Sequence, residues 1–130
     1  MDVPPIAVPH INQQVRRKIG SAAQPTDFGS VQWAVSAGNP DGAEQTAGLA
    51  TFDAGKGNVE HVHPNCEEIV FVLDGEVEHT LGEQSARLSS GDLIVVPRGV
   101  PHRLFNHGPD AVRAFVVFSS PGRQFEPTGR

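Results

Sequence analysis

The chain of 130 residues contains no tyrosine, one tryptophan (Trp33) and one cysteine (Cys66). A tyrosine acid or base is therefore excluded from any chemistry, and so is an intramolecular disulfide. No apolar run approaches the ~20 residues of a membrane-crossing helix; runs such as 69–73 and 93–96 are far shorter. A basic surplus is also missing, with Lys+Arg 10 against Asp+Glu 15 for a formal net charge of −5. Nucleic-acid modules usually present a basic face, and the one basic cluster, Arg16-Arg17-Lys18, reads as a solvated face. Neither a nucleic-acid nor a membrane partner is expected. The opening residues, Met1-Asp2-Val3-Pro4-Pro5, lack a basic stretch followed by an apolar one, so no signal peptide is expected. With the lone cysteine, this makes cytoplasm the expected compartment.

Glycine and proline are plentiful, at 14 and 11 residues. Together they make about a fifth of the chain against a usual share of roughly 12%, which suits short strands and tight turns. The length predicts one domain, since domains most often hold ~100–150 residues. Residues 1–28 show weak periodicity, broken by Pro4, Pro5, Pro9, Gly20 and Pro25. They read as an N-terminal arm lying across the domain or meeting a neighbouring subunit, and Ile11, Val15 and Ile19 offer one short helical stripe. From Val31 the period turns to two: Val31, Trp33 and Val35 alternate with Gln32, Ala34 and Ser36, the pattern of a half-buried strand. Strand-length segments follow at 46–53, 59–63, 68–74, 76–81, 85–89, 93–97, 102–106 and 112–119. Turn sequences such as Asn39-Pro40-Asp41-Gly42 and Ser90-Gly91-Asp92 separate them. Short strands with no strong helix between them predict an all-β domain over 29–130, an antiparallel sandwich or barrel. Unbroken apolar runs such as 69–73 predict strands covered on both faces.

Three of the six histidines fall into a pattern with a glutamate. His61-Val62-His63 is an i, i+2 pair on an expected strand, where the period of two turns both imidazoles to one face. Converging neutral imidazoles suit a transition metal. Glu68 opens the next strand, and Pro64-Asn65 turns the chain so that this strand returns beside the pair. Pro97-Arg98-Gly99-Val100-Pro101 forms a rigid turn that delivers His102 onto a later strand. The first segment reads Gly55-(5)-His61-Val62-His63-(4)-Glu68-(6)-Gly75 and the second Gly91-(5)-Pro97-Arg98-Gly99-(2)-His102-(3)-Asn106. These resemble the two sequence motifs of the cupin superfamily, with every spacing satisfied. Only 15 residues (76–90) lie between them, which resembles the compact single-domain microbial cupins.

The resemblance implies a single cupin β-barrel, or jelly roll, with one divalent metal held inside by His61, His63, Glu68 and His102. Iron, manganese, zinc and nickel all suit such donors. Three neutral imidazoles and one carboxylate leave a 2+ ion with a formal charge of +1. In six-coordination, two positions stay open for water, an oxygen-donor substrate or O2. Glu67 is the rival carboxylate. Strand alternation turns Glu67 and Glu68 to opposite faces, and the spacing to Gly75 selects Glu68. Glu67 then stands as a second carboxylate at the barrel mouth, orienting a ligand histidine.

His79 shares an inward parity with Val77 and Leu81, as an acid–base group of the pocket or as a packed histidine bonded to a carbonyl. Cys66 reads as a small buried residue or as a reactive thiol; His10 and His107 are unassigned. Leu104 and Asn106 share a face with His102, and Val70 and Val72 with Glu68, while Trp33, Phe52 and Phe115 are candidate aromatic wall. No lysine or arginine can be placed in the pocket from the sequence. The leading expectation is a metal-dependent enzyme on a small organic substrate chelated through oxygen. A redox route on Fe(II) or Mn(II) with O2 and a Lewis-acid route to decarboxylation, isomerisation, cyclisation or lyase chemistry both remain open. The alternatives are a non-catalytic metabolite-binding or sensor cupin and an auxiliary protein of a biosynthetic pathway. A homodimer is the usual outcome for cupins and is expected here.

Overall fold

The computed structural model describes residues 6–19, 21–36 and 42–130. The breakers Pro4, Pro5 and Gly20 and most of the Asn39-Pro40-Asp41-Gly42 turn lie outside these residues. Among the described residues eleven strands form two antiparallel sheets: β1 (Gln24–Pro25), β2 (Gly29–Val35), β3 (Thr46–Phe52), β4 (His61–Val62), β5 (Glu68–Asp74), β6 (Glu76–Leu81), β7 (Gln84–Ser89), β8 (Leu93–Val96), β9 (His102–Phe105), β10 (Val112–Phe118) and β11 (Glu126–Pro127). One sheet has the order β1-β2-β3-β10-β5-β8 and the other β11-β4-β9-β6-β7. The two-sheet jelly roll follows the alternation of the sequence. Ala50 and Phe52, Val70 and Val72, and Val112, Ala114, Val116 and Phe118 point between the sheets and form the core with Val77 and Leu104.

Two glycines are set by close packing. Gly75 turns the chain from β5 into β6 at φ +93°, and a Cβ there would meet Val112 at 2.4 Å. Gly48 lies opposite Trp33 across β2 and β3. A Cβ on it would stand 2.8 Å from the indole, so the missing side chain lets Trp33 lie close against the sheet.

Several expectations are corrected. The stripe of Ile11, Val15 and Ile19 does not form a helix. Two single 3-10 turns, Ile11–Gln13 and Arg17–Ile19, take its place, with Lys18 and Ile19 at positive φ. Ile11 and Val15 are exposed and Ile19 is only half-buried, so the stripe does not share one covered face. The expected strand 59–63 is ladder-paired only at His61–Val62, and the short strands β1 and β11 carried no alternation to announce them. The 69–73 run is covered on one face only, since Ile69 and Phe71 are half-buried and Leu73 is exposed. Phe115 sits on the outward parity of β10 and so is not cavity wall. Asn106 is wholly buried as a staple, its amide nitrogen 3.0 Å from the Phe52 carbonyl and 2.8 Å from that of Asp110.

Candidate metal centre

His61 and His102 face each other as a cross-strand pair between β4 and β9. His63 lies just beyond β4 on the same inward parity, and Glu68 opens β5 in the facing sheet. The two motif segments are tied together by Gly99, whose N–H donates to the His63 carbonyl (3.0 Å). All four side chains are buried, and one donor atom from each lies within 4.8 Å of the others.

Each imidazole commits its Nδ1 to a backbone carbonyl: His61 to Val59 (2.6 Å), His63 to Gln124 (2.7 Å) and His102 to Val100 (2.9 Å). With Nδ1–H donating there, Nε2 presents a lone pair inward, the orientation required of a metal ligand. The orienting acceptors are therefore main-chain carbonyls and not Glu67, which is exposed on the far side of the strand. Glu68 Oε1 lies 3.0 Å from His102 Nε2 and 3.4 Å from His63 Nε2. The second contact is too poorly aligned for a hydrogen bond, and His63 Nε2 is a buried polar atom with no partner. Buried orphans of this kind are rare and call for an explanation; a cation among the four donors supplies one.

The protonation states agree. Burial holds the His61 imidazole down at about pH 4, so it is neutral when ligation needs it. Burial alone would raise Glu68, but contacts with the His102 and His63 rings outweigh it and hold the carboxyl down at about 2; those contacts attract only while an inward nitrogen carries a proton, a charge that a bound cation supplies in its place. Imidazole nitrogen with carboxylate oxygen is a donor set for Mn, Fe, Ni or Zn. The cluster is thus a site for one divalent metal.

His61, His63 and Glu68 form part of the lining of a cavity of about 560 Å³. Its walls include Phe28, Phe52, Trp33, Val116 and Phe118, with Phe28 and Phe52 stacked at 4.4 Å. Trp33 and Phe52 are wall as the sequence suggested, whereas Leu104, Val70 and Val72 belong to the core behind it. His79 is buried behind His102, the rings parallel at 5.8 Å, with Nδ1 on the Thr80 carbonyl (3.1 Å), and it does not line the cavity. Cys66 is buried, and its thiol is pushed up by burial and then by Glu68, so it stays protonated.

Residues 119–127, which carried no motif, bring Arg123 and Phe125 to the cavity. Phe125 lies 4.5 Å from the His61 ring, and Arg123 lines the cavity, its guanidinium 4.8 Å from the Trp33 ring and 4.9 Å from that of Phe118. The only signal in the sequence was a lone arginine between two phenylalanines. Its position depends on β11 pairing with β4, which short-range pattern does not reveal.

Comparison with known proteins agrees with this geometry. The family described as "Cupin domain" matches residues 48–118. An uncharacterized protein of Streptomyces coelicolor is 34% identical over 76 residues, covering 58% of this chain and 70% of that protein. Putative germin-like protein 9-2 of Oryza sativa subsp. japonica is 32% identical over 107 residues, 77% of this chain but only 50% of the rice protein. A solved structure of oxalate oxidase is similar with a TM-score of 0.76 at 25% identity, over 89% of this chain and 64% of that one. The chain thus spans about half the length of the germin-like protein it matches. Both motifs close one two-sheet barrel around four inward donors, and on that evidence together with the family match the chain belongs to the cupins.

Proposed function

We propose that the chain is a metal-dependent enzyme acting on a small organic substrate that reaches the metal through an oxygen donor. One observation carries the reading: three of the four metal donors open onto a cavity of about 560 Å³ with largely apolar walls. Ligand sites typically combine such a wall with a few convergent polar groups, at ~300–1,000 Å³. A divalent ion held there supplies a Lewis acid and, where it is iron or manganese, one-electron chemistry with O2. The protein's own residues do the rest. The phenylalanines and Trp33 exclude water, while Glu68 and Asp27 are the carboxylates that face the cavity. With no tyrosine in the chain, protons move through these carboxylates or through water. His79 acts on this reading as a positioning residue behind His102, and Glu67 as a surface group. Similarity to oxalate oxidase favours an oxidation over the Lewis-acid route.

Oxygen-electrode traces on Fe(II)- and Mn(II)-reconstituted protein with diketones, phenols and flavonols test the reading. Oxygen uptake with a matching product is the expected result. Turnover without uptake would move the chemistry to the Lewis-acid route.

One observation favours the second reading, a non-catalytic metabolite-binding cupin. Outside the metal set, only Asp27 and Arg123 bring ionisable side chains to the cavity among the described residues. Saturable binding without turnover of any of these compounds would support it.

We also infer a homodimer. The outer face of the six-stranded sheet is apolar at Ile69, Phe71, Leu73, Leu93 and Val95, and the last three are 40%, 51% and 48% exposed. β8 is the edge strand there, so a second copy covers both an apolar face and an unpaired edge. Among the described residues no helix is long and apolar enough to cross a membrane. A reducing compartment such as the cytoplasm suits the lone thiol.

A further inference from the structure

Three exposed arginines are paired with carboxylates: Arg87 with Glu76, Arg113 with Asp74 and Arg130 with Glu83. Arg123 differs. Its guanidinium is wedged against the faces of Trp33 and Phe118, lines the cavity, and makes no hydrogen bond or ion pair with a described residue. Stacking on two rings satisfies the flat faces of a guanidinium and leaves its N–H edge to find an acceptor elsewhere.

Its location is fixed by the chain on both sides. Asn65 donates to the Gly122 carbonyl (2.9 Å) and accepts from the Gln124 N–H (2.9 Å), so one side chain brackets Arg123. The Gln124 carbonyl receives the Nδ1 proton of His63. Arg123 is therefore one residue from a group that orients a metal donor, and bonds from the Asn65 and His63 side chains to the main chain around it hold it in place.

We propose that Arg123 receives the carboxylate of the substrate, and that the substrate is a monocarboxylate with an aromatic or branched apolar body. The inference deepens the proposed enzymatic reading by naming the substrate class of the same cavity. A planar guanidinium pairs with a carboxylate through two parallel N–H···O bonds, which a neutral amide does not reproduce. The partly buried setting strengthens that pairing, because solvent screens it less there, and burial makes the lone guanidinium costly, a cost that the charge of Glu68 offsets only in part. The apolar body follows from the wall: the Phe28–Phe52 stack, Val31 and Val116 give it a surface to cover. A two-carbon diacid such as oxalate has no such body and would leave most of a cavity of about 560 Å³ to water.

Phenylacetate, its neutral amide phenylacetamide, and oxalate are the probes. Calorimetric titration gives affinities in metal-loaded and metal-free protein, and quenching of Trp33, the chain's one tryptophan, reports that binding occurs beside Arg123. Phenylacetate is expected to bind at least tenfold more tightly than phenylacetamide and than oxalate. The preference over the amide persists in metal-free protein, where no ion is present to take the carboxylate. Arg123→Gln abolishes that preference while leaving phenylacetamide affinity and metal content unchanged, and Arg123→Lys restores part of it. Asn65→Ala narrows the phenylacetate-to-phenylacetamide ratio without changing the affinity for the amide, the mark of a residue that positions Arg123. Equal binding of acid and amide, failure of phenylacetate to saturate in the millimolar range, or a preference that survives Arg123→Gln would overturn the proposal. Metal content separates the two readings. Loss of the preference with metal intact removes only this inference, whereas metal retained in His61→Ala and His102→Ala removes the metal centre beneath it.

Discussion

At the metal centre the decisive detail is where each imidazole sends its Nδ1 proton. Three main-chain carbonyls take these protons, so the rings are held with their other nitrogens facing the place a metal would take. His79 has a different consequence. It is buried, and desolvation, followed by the nearby His102, depresses its pKa to about 4 from 6.5. Between those values the unfolded chain binds a proton that the folded chain refuses, so stability rises with pH across that window. The folded state of metal-free protein is therefore expected to lose up to ~3 kcal/mol through His79 as pH falls from 6.5 toward 4. Urea unfolding in chelator at pH 7.5 and pH 5 checks this, and His79→Gln should shrink the difference by the His79 share while leaving that of His61, which burial depresses likewise. Gly48→Ala is a second residue-scale prediction. The new methyl would stand 2.8 Å from Trp33 and 2.9 Å from the Gln32 carbonyl, and overpacking of this kind costs ~1–3 kcal/mol. A lowered Tm with altered Trp33 fluorescence is expected; an unchanged Tm would contradict the tight β2–β3 contact.

At the scale of elements, the site is a meeting of β4, β5 and β9 with the C-terminal strap that ends in β11. The strap carries Arg123 and Phe125, accepts from His63 through Gln124, and pairs with β4 at Glu126 and Pro127. Removing residues 121–130 is expected to weaken metal affinity by 10–100-fold, the usual cost of losing an orienting partner. Competition with a coloured chelator measures it, and unchanged affinity would show that the strap does not hold His63. Much of this was legible in the sequence for local reasons. Strand alternation places His61 and His63 on one face and turns Glu67 and Glu68 to opposite ones, while the resemblance to the cupin motif, through the spacing to Gly75, picks out Glu68. The strap was not legible, because β11 is two residues long, lacks alternation, and exists only through its tertiary partner. The helical stripe at Ile11, Val15 and Ile19 failed for the complementary reason: a periodic pattern of which two residues stay exposed gains too little burial to make a helix.

For the whole molecule, a two-sheet barrel predicted from short alternating strands and frequent turns is what the chain forms. The misreading lay in the apolar run at 69–73, which reads as buried on both sides and is covered on one. A sequence records that a face is apolar but not whether its cover comes from the same chain. The inferred dimer makes that cover a second copy, and Val95→Lys, on the exposed edge strand, should shift the mass from dimer to monomer in light scattering at micromolar concentration. A wild-type monomer under those conditions would contradict the inference. The account as a whole rests on four side chains acting as one divalent site, and elemental analysis of purified protein reads this directly. Close to one divalent transition-metal ion per chain is predicted for the wild type, with less than a tenth of that in His61→Ala and in His102→Ala. Undiminished metal in both variants would contradict it.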